Sequence, residues 1–313
     1  MPKKIIISIL LVAVFGGGLL LWYFGKTESL KPDFPDVEPV KTEDKENLLS
    51  EEKFFWMAEG QKNKVYFVGS IHLLREEDYP LPPVIEEIYN DSRVIIFETD
   101  IGAIEDPVFI YQMMEKMFYP PGEKLSQNIS EDTLKILEER LSLYQLPVED
   151  FEIFRPWAIS FFLSDLKFEE LAYDYNLGVD KYFYKKAKLD KKEINYLETP
   201  EYQIEIMAGL GKELQESFLK KTLEQLDTAE SLLSDMVGAW KIGDINKMEE
   251  IAMQDFEPEI YDLFLIKRNK EWVPLVEELM EKEDNVLIIV GAGHLLGKDS
   301  LIELLKEKGY KIE

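Results

Sequence analysis

No cysteine occurs among the 313 residues. Disulfides, zinc ribbons, iron–sulfur clusters and thiol nucleophiles are excluded together. Histidine is almost as scarce: His72 and His294 are the only two, so any imidazole chemistry must use one or both. Basic residues are also short, with 36 Lys plus Arg against 62 Asp plus Glu and a net charge of −26. Such a field repels phosphate backbones and anionic headgroups, which argues against a nucleic-acid partner. Familiar catalytic signatures are missing too: the chain has no Gly-x-Ser-x-Gly elbow, no His-Glu-x-x-His helix and no Walker loop. Gly291, Gly293 and Gly297 imitate a dinucleotide fingerprint, but the third glycine is displaced by one and too little chain follows it for a nucleotide domain.

What is present is a sizeable apolar complement, 46% of residues, enough for one large or two medium domains. One long apolar run stands out. Ile5 to Phe24 carries no charge and matches the roughly 20 residues that cross a hydrocarbon core. It exceeds the apolar region of a cleavable signal peptide and lacks an Ala-x-Ala-like site, so residues 1–25 are expected to form a retained anchor. Lys3 and Lys4 precede the span and Lys26 alone follows closely, which keeps the N-terminus cytoplasmic and the body extracytoplasmic, at the cell surface or in the periplasm. Residues 26–50, with Pro32, Pro35 and Pro39 among mixed charges, read as a solvated tether.

Folding is expected over residues 51–313. Phe54 to Ala58 and Lys64 to Val68 flank a turn-like segment and predict a hairpin. Arg93 to Phe97, Glu193 to Leu197 and Val286 to Val290 are short apolar runs that read as buried strands. Between them lie helical periods. Leu214, Phe218, Leu219, Leu223, Leu226, Ala229, Leu233 and Met236 fit one apolar stripe, Ser130 caps a helix, and Pro200 opens another. Met113, Met114, Met117 and Phe118 read as core. Strands at both ends with helices between predict a single α/β domain around a mixed, mostly parallel sheet.

Both histidines sit in the same setting. VYFV-Gly69-Ser70-Ile71-His72-Leu73-Leu74 and LIIV-Gly291-Ala292-Gly293-His294-Leu295-Leu296 each place Gly-x-x-His-Leu-Leu after a strand-like run. Glycine there permits a tight turn or a close approach, and open α/β sheets bind ligands beyond their strands' carboxyl ends. The matched pair favours a shared functional crevice over two unrelated core histidines. Glu98 and Glu198 also end apolar runs. Their spacing fits a metal ligand or a general base, and equally a solvated loop acid, which is the preferred reading for Asp100. Ser70 beside His72 lacks the elbow that would expose a nucleophile.

These segments together resemble the TraB/GumN family, which includes TIKI metalloproteases and pheromone-shutdown proteins. The marks are VYFVGSIHLL, VIIFETD, Arg155-Pro156-Trp157, LGVDKYFYKKA, INYLETPEYQ, AWKIGD, Arg268-Asn269 and the C-terminal VLIIVGAGHLLGKDS. The resemblance spans nearly all of residues 54–313. It implies a metal-dependent hydrolase in which His72 and His294 match the family histidines and Glu98 its acid. Glu198, Arg268 and Asn269 match positions near the site.

The resulting expectation is a peptidase-like hydrolase acting on a peptide or exported protein. His72, His294 and Glu98 hold a divalent ion (zinc, manganese or cobalt), and Glu98 serves as third ligand or as base. Arg268 steadies the oxyanion, while Ser70, Glu198 and Asn269 support the site. A binding module that sequesters a secreted peptide is the alternative, followed by a metal-free esterase using His72 as base. The oligomeric state is left open by the sequence.

Overall fold

The computed structural model describes residues 54–103, 106–252 and 257–313. The expected anchor at residues 5–24 and the tether at 26–50 lie outside the described residues. Among the described residues, no helix is long and apolar enough to cross a membrane. The chain divides into two compact units built from interleaved segments. One comprises residues 102–172 and 200–230, and the other the rest of the described chain. This interleaving explains why no second linker is legible between residues 51 and 313.

The sheet-bearing unit contains β1 (Phe55–Glu59), β2 (Lys64–Ser70), α1 (Pro83–Asp91), β3 (Val94–Phe97), α5 (Val179–Asp190) and β4 (Glu193–Tyr196). It continues with most of α8 (Ala229–Ile242), then α9 (Ile245–Ala252), α10 (Pro258–Tyr261), α11 (Lys267–Met280), β5 (Val286–Gly291) and α12 (Leu301–Glu307). The strand order is β1-β2-β5-β3-β4, with β1 antiparallel to β2 and every other pair parallel. The predicted α/β class and mixed, mostly parallel sheet therefore hold.

Parallel strands carry apolar residues on both faces because helices cover them. Accordingly, every residue of β3 and β5 is buried and only Lys64 of β2 is exposed, but β4, expected to be buried, is mostly exposed because it lies at the sheet edge. Val65, Phe67, Val94, Ile96, Val286 and Ile288 meet Trp272, Val273 and Val276 of α11 and Leu301, Ile302 and Leu305 of α12 in the core of one face. Gly309, at φ +95°, ends the last helix with the left-handed residue expected of a C-terminal glycine.

The second unit is helical: α2 (Pro107–Met117), α3 (Glu131–Leu143), α4 (Pro156–Glu170), α6 (Pro200–Ala208) and α7 (Lys212–Gln225). The α4 sequence is apolar on nearly all sides, and it forms the unit's buried centre with Phe151, Phe154 and Phe218. Ser130 caps α3 as predicted, accepting the Thr133 N–H at 3.3 Å, and Met113 and Met117 are core. The single stripe expected from Leu214 to Met236 is instead two helices, α7 and α8. The chain breaks at Asp227-Thr228, where the Thr228 hydroxyl and N–H both return to the Gln225 carbonyl.

Candidate functional site

Four parallel strands that end on one edge bring together whatever follows them. β2 leads to His72, β3 to Glu98, β4 to Glu198 and β5 to His294. Pairing continues past β3 and β4, with the Glu198 N–H donating to the Glu98 carbonyl at 2.9 Å. This is the carboxyl edge at which open α/β sheets bind ligands. The glycines act by close approach more than by turning. Gly69 lies inside β2, where an added Cβ would stand 2.3 Å from the Phe54 ring, and its carbonyl accepts the Trp240 indole N–H at 2.7 Å. Gly291 ends β5 and donates its N–H to Glu98 Oε1. Gly293 lies in the short 3₁₀ turn that carries His294.

Arg268 is the hub of the cluster and is fully buried. Its Nε donates to both Glu198 oxygens, at 3.0 and 3.1 Å. One Nη2 hydrogen reaches Glu198 Oε1 and the other Glu98 Oε2, both at 2.6 Å. Nη1 donates to the Phe264 carbonyl and to His294 Nε2, both at 2.9 Å. All five N–H donors of the guanidinium are thus engaged. Phe264 lies in a π-helical turn, Asp262–Ile266, that precedes α11 and closes with an i→i+5 bond from Lys267 to Asp262.

His294 is fixed on every side. Because an arginine only donates, Nε2 must be its acceptor, which leaves Nδ1–H to donate to Asn269 Oδ1 at 2.7 Å. The Asn269 amide in turn donates to the Asp299 carbonyl at 3.0 Å, and Trp272 lies against the imidazole with centroids 4.3 Å apart. The Trp272 N–H donates to Glu198 Oε2 at 3.0 Å. Burial and then the Arg268 charge hold the His294 pKa well below the ordinary histidine value, so the ring is neutral. Burial alone would raise Glu98. The positive field of Arg268 overcomes it, assisted by the Gly291 N–H, and brings the carboxyl to about 2.

His72 is held from one side only. Its Nδ1 lies 2.9 Å from Asp180 Oδ2, and Asp180 Oδ1 accepts the Ser70 hydroxyl at 3.1 Å. Asp180 is in the first turn of α5, a helix seated by a backbone bond from Val179 to the Ile71 carbonyl. Gly178 is required at that junction, because an added Cβ would lie 2.2 Å from the His72 carbonyl oxygen. His72 Nε2 is buried and meets no hydrogen-bond partner among the described residues. Burial lowers its basicity, but Asp180 and Glu98 outweigh that effect and raise its pKa above the ordinary value. His72 and Glu98 are close enough to shift one another, as are His72 and His294.

The structure therefore brings His72, His294, Glu98, Glu198, Arg268, Asn269 and Ser70 to one edge. Asp100 stands aside, accepting from Tyr196 at 3.0 Å and Tyr184 at 3.3 Å. Sequence reasoning missed Asp180 and Trp272. Asp180 sat unremarked inside LGVDKYFYKKA, one acid among 62.

The family model that matches residues 54–313 is that of the TraB/PrgY/gumN family. The chain belongs to this family. It is 24% identical to the uncharacterized protein YbaP of Escherichia coli K12, over 77% of this chain and 87% of that protein. It is 22% identical to metalloprotease TIKI2 of Xenopus tropicalis, over 96% of this chain and 66% of that protein. With human metalloprotease TIKI1 it shares 21% identity over 79% of this chain and 59% of that one. The chain thus spans roughly three fifths to two thirds of these two animal relatives. No solved structure gives a match.

The metal implied by this family resemblance can be tested against the donor chemistry. His72 fits, with Nε2 unpartnered among the described residues and a carboxylate behind Nδ1 of the kind that orients metal-binding histidines. His294 and Glu98 do not fit as arranged: the histidine lone pair accepts from Arg268, and each Glu98 oxygen already accepts an N–H. Among the described residues, no group of three or more His, Cys, Asp or Glu side chains converges as a cation site.

Proposed function

We propose that this edge of the sheet is the catalytic centre of a hydrolase that cleaves an amide bond in a peptide or exported protein. The observation that carries the proposal is His72 itself: a partly buried imidazole with Nδ1 held by Asp180 and Nε2 unpartnered among the described residues. Asp180 favours the tautomer with hydrogen on Nδ1, which points a lone pair from Nε2. That nitrogen takes a proton from a water as its oxygen attacks the scissile carbonyl. It returns the proton to the amine as the carbon–nitrogen bond breaks, so one water is consumed and the base is regenerated. The negative charges of Asp180 and Glu98 stabilise the imidazolium formed between the two steps. Arg268, Glu198, Asn269 and Trp272 hold Glu98 and His294 in place.

The peptide as substrate class is supported by the metalloprotease names of the animal relatives. Placement outside the cytoplasmic membrane is supported by the apolar span at residues 5–24 and its flanking lysines.

The test uses the full chain in detergent micelles, a peptide library, and His72→Gln. Cleavage by the wild type that falls by about two to four orders of magnitude in a folded variant supports the reading. Retention of intact peptides without cleavage would make the protein a binding module. Cleavage that stops with a chelator and returns with zinc, manganese or cobalt would place the proton transfer on a metal-bound water in place of His72.

A further inference from the structure

We infer that Arg268 is the resident cation of this centre, filling the electrostatic role a divalent ion would take among Glu98, Glu198 and His294. Three observations carry the inference. The guanidinium is fully buried and its five donors are all used, four of them on the Glu198 carboxyl (two), the Glu98 carboxyl and the imidazole. The His294 tautomer is set by that contact, with the Nε2 lone pair directed at Arg268 and Nδ1–H at Asn269. The backbone is shaped to the same end, since the π-helical turn before α11 supplies the Phe264 carbonyl that takes the remaining Nη1 hydrogen.

A metal ion seated on His294 Nε2 would have to displace Nη1 from that lone pair and would stand within a few ångströms of a buried positive charge. Zinc ligation by nitrogen requires about 2.0–2.1 Å along the lone pair. The guanidinium already occupies that direction at 2.9 Å. His294 and Glu98 are therefore structural partners of an arginine, and a divalent ion at this edge of the sheet would be held through His72 without them. The inference concerns ligation alone and stands or falls whether or not peptides are cleaved.

The presence of only two histidines makes the test direct. Full-length chain labelled with nitrogen-15 at histidine, in detergent micelles, is titrated with zinc chloride, and the ring nitrogens of both residues are followed by NMR. In the wild type, His294 should keep its pattern, protonated on Nδ1 and unprotonated on Nε2, at a several-fold excess of zinc. A zinc-induced shift of His294 Nε2 at one equivalent would overturn the inference.

A second variant, Arg268→Gln with Glu198→Gln, removes one charge of each sign and frees the imidazole. Folded, it should bind zinc at least tenfold more tightly than the wild type, with His294 now shifting. A folded double variant whose His294 ignores zinc would also overturn the inference. If that variant does not fold, the wild-type titration decides alone.

Discussion

The two Gly-x-x-His-Leu-Leu segments share six positions of pattern and almost nothing of environment. His72 follows β2, leans on one carboxylate and leaves Nε2 unpartnered among the described residues. His294 follows the adjacent strand β5 and is gripped by Arg268, Asn269 and Trp272. Their proton affinities are displaced in opposite directions, upward for His72 and downward for His294. A repeated motif thus fixes where two imidazoles stand, while the residues arriving from distant segments decide what each can do. One imidazole keeps a nitrogen unpartnered among the described residues, and the other has both engaged.

Breaking the closed side should cost most. Arg268→Met leaves Glu98 and Glu198 buried without their cation, and removal of one member of a buried ion pair destabilises by about 3–5 kcal/mol. Urea unfolding of the variant should show that loss, together with collapse of activity. A loss under about 1 kcal/mol would mean that water or another residue relieves the carboxylates.

The same exchange on each histidine sharpens the contrast. His72→Gln should unfold within about 1 kcal/mol of the wild type while losing turnover, because it surrenders a single polar contact. His294→Gln should cost about 1–3 kcal/mol, since Arg268 Nη1 and Asn269 Oδ1 lose a buried partner. Equal stability losses would erase the distinction.

pH separates them by sign. His294 is more easily deprotonated folded than unfolded, so its stabilisation is present above the ordinary histidine range and fades as pH falls through it. His72 is the reverse: its contribution is present in acid and fades as pH rises through its elevated folded value. Comparing unfolding of the wild type with each Gln variant between about pH 5 and 8 should give slopes of opposite sign. Parallel slopes would show that the two rings titrate alike. Glu98, held to about 2, loses its contribution only as pH drops below the ordinary carboxylate range towards that value.

The smallest effect is expected at the edge of the open side. Ser70→Ala removes the hydroxyl bonded to Asp180 and should cost about 0.5–1.5 kcal/mol, with a modest decline in turnover because Asp180 still reaches His72. A loss of activity as deep as that of His72→Gln would make Ser70 a participant in the chemistry.

Much of this was legible in the chain. Three of the four parallel strands announce themselves as buried apolar runs, whereas the run expected to be buried at Glu193 to Leu197 forms a mostly exposed edge strand, and the glycine–histidine pattern marks the candidate edge. Three features were hidden for separate reasons. Asp180 lies 110 positions beyond Ser70, and nothing local distinguishes it from other acids. The engagement of His294 depends on the direction of one lone pair, which composition and spacing do not encode. The chain passes between the two units at residues 101–102, 172–173, 199–200 and 230–231, so no single linker marks the division. The Leu214 to Met236 stripe failed at Asp227-Thr228 because local hydrogen bonding overrode a correct hydrophobic period.

The strand order β1-β2-β5-β3-β4 has a consequence in time. The middle strand is the last one synthesised, and β2 and β3 touch the same sheet only through it. A ribosome-bound chain that has not yet released residues 286–294 holds two separate strand pairs and one of its two histidines. The cluster therefore cannot be completed before β5 emerges, and closing it requires contacts of very long sequence separation. A chain cut short before β5 lacks both His294 and the strand that joins its two strand pairs.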